Sequence, residues 1–184
     1  MKILFITPRL LYPPNRGDKV RPWNFAKALA QKHKLFLISL IQNEEERQYE
    51  AELRHVFEKV ETVLLKPWQS YRNMLLRGFS STPLQVHYFY SPEMQNKVDQ
   101  FLLDEKVDVV YVFHLRMAHY VTKYVNVYKI LDLTDAVSLF LKRRKDYAPF
   151  YLKPIFNREQ ARVLCYEREI VQYFEESWII STID

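Results

Sequence analysis

Glycine is the residue this chain most conspicuously lacks: two occur in 184 positions, against an average usage of roughly 7%. Loop freedom is therefore not bought with scattered glycines, and Gly17, just after the first apolar run, gains weight. Cysteine is nearly absent too. One residue, Cys165, excludes a disulfide framework and a cysteine-built zinc site, fits a reducing compartment, and reads as a small buried hydrophobe. No run approaches the roughly 18 apolar residues of a membrane span, and Lys2–Ile6 is too short and too soon interrupted for a secretion signal. The expectation is a soluble, cytoplasmic protein. The G-x-G-x-x-G fingerprint and the Gly-Lys-Ser/Thr phosphate loop are missing as well, which argues against an ordinary NAD-binding domain or P-loop NTPase.

What is present suits one compact domain, with 48% hydrophobic residues and a modest net charge of +5. That charge is compatible with an anionic ligand, an acidic membrane surface or neither. The 13 tyrosines are dispersed rather than grouped into a stacking motif, so core roles are expected and nucleic acid is not. Six short β-rich runs, Lys2–Thr7, Leu35–Ile41, Val60–Leu65, Val107–Phe113, Val127–Leu133 and Ser177–Ser181, are continuous rather than alternating. Such runs belong to strands covered on both faces. Helical spacing fills the gaps: Val20, Trp23, Ala26 and Leu29, then Glu44–Glu58, Pro92–Glu105 and Ile155–Phe174. The alternation predicts an α/β fold, a Rossmann-like open parallel sheet of about six strands with helices on both faces. Pro67–Tyr90 breaks the rhythm with a short helix over Trp68–Arg77 and a turn-rich loop over Gly78–Pro83, and is expected to pack over the sheet edge.

The segment from Lys2 to Leu29 reads as a buried strand, a proline-rich loop and a helix start, the ligand-binding edge of such a sheet. Gly17 there allows positive φ or close approach of a ligand, and the helix offers free N–H groups and a positive dipole end. Arg9, Arg16, Lys19 and Arg21 surround it with charge suited to a phosphate or carboxylate. The alternative, compatible with the first, is that Gly17 closes the loop and Asp18 caps the helix. For Arg21 the alternative is a solvent-facing helix position.

The string Pro8-Arg9, Tyr12-Pro13-Pro14, Gly17-Asp18-Lys19 and Arg21 resembles the amino terminus of GT-B glycosyltransferases of the glycogen-synthase-like, family 4 type. The likeness is narrower to bacterial exopolysaccharide- and exosortase-associated sugar transferases. It continues through Pro83–Val86 with Tyr88-Phe89, Val107–Val110, Leu115–Ala118, Leu131–Ser138, Arg143-Arg144 and Ser181–Asp184, and so covers the whole chain. The resemblance implies an amino-terminal acceptor-binding domain facing a carboxyl-terminal domain that binds a nucleotide-diphosphate sugar. The donor-domain signature, two glutamates seven residues apart, would lie beyond Asp184, so little activity is expected of this chain alone. It implies sugar transfer to a hydroxyl of a small or lipid-linked saccharide in polysaccharide or glycolipid synthesis, with no cofactor or metal.

On that reading Gly17, Asp18, Lys19 and Arg21 approach the donor, and His114, Arg116 and Ser138 bind substrate. Asp135 is the catalytic candidate, able to hold an acceptor hydroxyl or take its proton. His114-Leu-Arg116 and Asp132-Leu-Thr-Asp135 each follow a strand end and are expected to share one cleft. The structural alternatives are that Asp135 caps a helix beginning at Ala136 and that His114 is a satisfied strand-end residue. Lys142–Lys145, with Tyr147, Phe150 and Tyr151, suits anionic lipid headgroups or simply a solvated helix face. Outside the enzyme reading stands a non-catalytic α/β module that binds a nucleotide or a protein partner.

Overall fold

The computed structural model describes residues 1–180, except that nothing is described of the Asp146 side chain. The closing motif Ser181–Asp184 lies outside the described residues. Six strands form one sheet: β1 (Lys2–Thr7), β2 (Lys34–Ile41), β3 (Lys59–Leu64), β4 (Val109–Phe113), β5 (Tyr128–Thr134) and β6 (Glu176–Ile179). Their order is β3-β2-β1-β4-β5-β6 and every pairing is parallel. This is the Rossmann-like arrangement expected from the apolar runs. The order reverses between β1 and β4, and that opens a crevice at the carboxyl ends of those strands.

Period-two geometry splits the apolar runs between two cores. Leu4 and Ile6 join one with Val110, Val112 and Leu131, and their neighbours Ile3 and Phe5 join the other with Leu37 and Tyr111. The first core is closed by Met94, Val98 and Phe101 of α5 (Pro92–Asp104) and by Val163 and Ile170 of α7 (Lys153–Ile170). The second is closed by Trp23 and Ala26 of α1 (Gly17–Ala30), with Leu53 and Phe57. Each fully buried aliphatic side chain contributes about 1.5–3 kcal/mol of transfer free energy.

Several local expectations are corrected. The helix expected over Glu44–Glu58 is a 3₁₀ turn, Glu44–Tyr49, followed by the single turn α2 (Glu50–Leu53). The Glu46 carboxylate accepts from the amides of Gln42 and Asn43 at 2.9 and 3.1 Å and fixes its start. Leu53 and Phe57 are the only fully buried anchors, so nothing holds a longer helix on the sheet. Cys165 is exposed, because the buried stripe of α7 runs through Val163 and Ile170. Gly17 has no positive φ, and a Cβ there would meet nothing within 4 Å. The fold instead requires Gly78, at the end of α3 (Pro67–Arg77), where a Cβ would lie 2.7 Å from the Met74 carbonyl oxygen. Neither predicted aspartate cap forms. Arg16 precedes α1 and Ala136 precedes α6 (Val137–Asp146), both without a side-chain cap, and Asp18 instead lies 3.5 Å from Arg9.

One buried acid ties the crevice together. Asp132, 1% exposed, accepts from Arg21 Nη1 at 2.7 Å, from the Thr134 amide at 3.1 Å and from the Tyr111 hydroxyl. Its own carbonyl accepts from the His114 amide at 2.8 Å. The Arg21 side chain, still 40% exposed, is thereby paired with a buried carboxylate. Burial first, then the adjacent carboxylate, drives the Tyr111 hydroxyl far up, so it stays a neutral donor. Asp132→Ala leaves the buried Tyr111 hydroxyl without its acceptor, and urea denaturation should register a loss of about 2 kcal/mol.

Candidate functional site

Strand ends are where side chains leave the ladder, and here two of them leave it strained. His114, just past β4, has φ 77°, and Thr134, the last residue of β5, has φ 64°. A β-branched residue in the left-handed region is a true outlier. Here the Asp132 carboxylate, holding the Thr134 amide, compensates for it. The two side chains meet at 3.5 Å, His114 Nδ1 to Thr134 Oγ1. Strain of this kind collects at ligand-binding edges.

Both residues line a cavity of about 640 Å³ that also takes in Arg116, Asp135, Ala136 and Val137. Its far walls come from Met74 of α3, from Leu84 and Tyr88 of α4 (Leu84–Tyr88), and from Phe140 and Leu141 of α6. Pro67–Tyr90 thus covers the carboxyl edge of the sheet. It is joined to α7 by the Leu84 amide donating to Glu159 Oε1 at 2.6 Å and by Arg162 Nη2 donating to the Gly78 carbonyl at 2.5 Å.

Arg116 is the unusual group. It sits in the 3₁₀ turn Leu115–Tyr120 with its guanidinium 4.8 Å from the Phe89 ring. Its Nε is buried without a hydrogen-bond partner, and among the described residues it pairs with no carboxylate. Burial, then the charge of Arg9, lowers its pKa to about 10, and it remains a cation at neutral pH. A desolvated cation in an apolar cavity is costly unless an anion arrives. His114 is held neutral: burial, then Arg116 and Arg9, lowers it to about 3. It can therefore donate or accept a hydrogen bond but adds no charge.

Of the residues singled out from sequence, His114, Arg116 and Asp135 come together on this cavity, and Asp135 is exposed at its wall. Gly17, Asp18, Lys19 and Arg21 do not line it. They stand at the start of α1 across the crevice, linked to it electrostatically because Arg9 and Asp18 both act on Arg116. Lys19 is lowered by burial and by Arg9 and Arg16, against the opposing pull of Glu46 and Asp18. Ser138 is buried away from the cavity wall, its amide donating to Glu167 Oε1 at 3.1 Å. Sequence reasoning gave Thr134 no role of its own within Asp132–Asp135 and did not find the apolar walls. Met74, Tyr88 and Phe140 are distant in the chain, and only the packing of α3, α4 and α6 brings them together. Among the described residues no group of three His, Cys, Asp or Glu side chains is placed to hold a metal ion, and no helix is long and apolar enough to cross a membrane. No family model matches the chain, and no curated protein is similar to it.

Buried imidazoles, His87 among them, make stability acid-sensitive. His119, stacked 4.0 Å from Tyr120 and 5.9 Å from Tyr90, is lowered by burial to about 4. Below pH 6.5 the unfolded chain takes up protons that folded His114 and His119 refuse, so stability falls with pH down to about pH 3–4. At pH 5 each should remove about 2 kcal/mol. Urea midpoints at pH 7 and pH 5 measure this, and His119→Phe should remove about 2 kcal/mol of the difference.

Proposed function

We propose that the chain is the acceptor-binding, amino-terminal half of a GT-B glycosyltransferase, moving a sugar from a nucleotide diphosphate to a hydroxyl acceptor in polysaccharide or glycolipid synthesis. The observation that carries this is Arg116, whose buried Nε has no partner and which pairs with no carboxylate among the described residues, in a largely apolar cavity at the crevice of a Rossmann-like sheet, with Asp135 also on its wall. An acceptor with an acidic or phosphate group beside an apolar body satisfies both features. Arg116 would take the anion, Tyr88 and Phe140 the body, and His114 a hydroxyl.

In the reaction the acceptor oxygen forms a bond to the anomeric carbon while the bond to the diphosphate breaks, and the acceptor proton passes to Asp135. Positive charge must then face the leaving diphosphate. The start of α1 offers its amides, with Lys19 beside them, and open space above Gly17 lets a phosphate approach. The other donor contacts belong to a second domain facing this one. Ser138 acts through α6 rather than by contact. A peripheral position at the inner membrane face, beside a lipid-linked acceptor, is part of the same reading.

Chemical-shift mapping with a short polyprenyl phosphate and with simple saccharides tests the binding half. Shifts should centre on His114, Arg116 and Asp135; a chain that responds to free nucleotide alone supports the non-catalytic module instead. With the donor domain present, Asp135→Asn should lower kcat by roughly 10²–10⁴. Arg116→Met should raise KM for an anionic acceptor roughly ten- to hundredfold. Gly17→Val fills open space without disturbing the fold, so an unchanged transfer rate would remove the α1 start from the donor site.

A further inference from the structure

One wall of the Arg116 cavity is a segment joined more firmly to itself than to the core. Of the aliphatic and aromatic side chains in residues 67–88, only Val86 is buried, and α3 buries Ser70 alone. Within the segment the joints are close. Tyr71 of α3 meets Tyr88 of α4 edge to face, with ring centroids 5.7 Å apart, and Ser80 Oγ lies 2.6 Å from His87 Nε2. Helices α3 and α4 thus form a small body with little apolar anchorage, and units of that kind open at a lower free energy than the fold as a whole.

Its attachments to the rest of the molecule are polar and sit at defined places. On α7, Glu159 and Arg162 are 13% and 10% exposed and lie 3.5 Å apart. Glu159 accepts from the Leu84 amide and Arg162 donates to the Gly78 carbonyl, so one ion pair grips the start of α4 and the residue after α3. Both bonds are charge-assisted and both end on backbone atoms. The two ends of the segment are fixed separately. Before it, the Leu65 amide donates to the Ile41 carbonyl at 2.8 Å. After it, the buried Tyr120 hydroxyl donates to the Phe89 carbonyl and accepts from the Ser91 amide, each at 2.7 Å. Asn73 donates to the Tyr90 carbonyl at 2.8 Å, and the Arg77 guanidinium lies 4.4 Å from the Tyr90 ring, which ties α3 to this second fixed end. Met74, Leu84 and Tyr88 of the segment line the cavity, and so does Glu159.

We propose that residues 67–88 are a lid on the Arg116 cavity, turning as one body about Lys66 and Phe89 and latched shut by Glu159 and Arg162. Opening carries Met74, Leu84 and Tyr88 away while His114, Arg116 and Thr134 stay with the sheet. It exchanges two backbone bonds for hydration and leaves both cores intact, because Val86 is the one apolar side chain it draws out of burial. The lid governs access to the cavity and does not rest on sugar transfer.

Amide hydrogen exchange read by mass spectrometry follows the opening on the chain as it stands, with no ligand needed. Helical amides of the lid should exchange at least about tenfold faster than those of α5, and Arg162→Met should quicken the lid alone by about tenfold more. Glu159→Gln keeps an acceptor for the Leu84 amide but discards the ion pair, so its effect should be smaller and in the same direction. It also serves if Arg162→Met does not fold. Access to the cavity is read separately by a thiol at Leu141→Cys, on the α6 wall, with the exposed Cys165 changed to serine. Labelling of that thiol by Ellman's reagent should be slow behind the intact latch and should quicken in step with lid exchange in either latch variant. The proposal fails if lid and α5 exchange alike, or if the latch variants leave the lid unchanged or speed both equally. It fails too if thiol labelling does not follow lid exchange, since the cavity would then be open without the lid moving.

Discussion

The buried carboxylate of Asp132 is the constraint on which the sheet's functional edge depends. It receives a guanidinium from α1, a hydroxyl from β4 and its own strand's amide two residues on. Those three partners come from both sides of the point where the strand order reverses. Without it the phenol of Tyr111 would lie buried against Phe5 and Phe25 with no acceptor, and α1 would lose its one ionic anchor to β5. The same carboxylate holds Thr134 in the left-handed region, and its residue's carbonyl holds the His114 amide. The shape of the cavity rim therefore follows from one satisfied buried charge.

That charge has an unsatisfied counterpart. Arg21 and Arg116 are both cations near the crevice, but Arg21 has a carboxylate at 2.7 Å whereas Arg116 has an aromatic ring at 4.8 Å. The first is structure. The second is a desolvated positive charge facing a cavity of about 640 Å³, and the physical chemistry of buried ions makes it a request for an anion. His114 beside it is kept neutral by the same burial and by that cation, so it adds hydrogen-bonding capacity without charge. The proposed anionic, partly apolar acceptor would use this division of labour.

The outer surface continues the theme. Helix α3 turns an apolar stripe to solvent, and basic residues outnumber acidic ones over Lys66–Pro92 and Val137–Arg158. The rest of the molecule follows the ordinary rule, with α5 and α7 directing Val98, Phe101, Val163 and Ile170 inward. The exception to that rule is α3, which exposes Leu75 and Leu76 while its Met74 lines the cavity.

Much of the fold was legible in the amino-acid sequence, because a strand buried on both faces must be continuously apolar and six such runs alternate with helical spacing. Even the strand ends that bear His114, Arg116 and Asp135 could be located, since connections at the carboxyl edge are where a parallel sheet exposes polar side chains. The chain could not show which charges would meet. Arg21 and Asp132 are 111 positions apart, and only the sheet order places them in contact. Scarcity drew attention to Gly17, yet close packing needs Gly78, because a carbonyl's approach to a Cβ is a tertiary distance that no composition encodes. The sequence likewise predicted a short helix over Trp68–Arg77 but not which way it faces; Ser70 and Asn73 find their places inward while Leu75 and Leu76 are left outside. The local period of apolar residues thus determined the elements, and the long-range pairing of charges, hydroxyls and carbonyls determined the site.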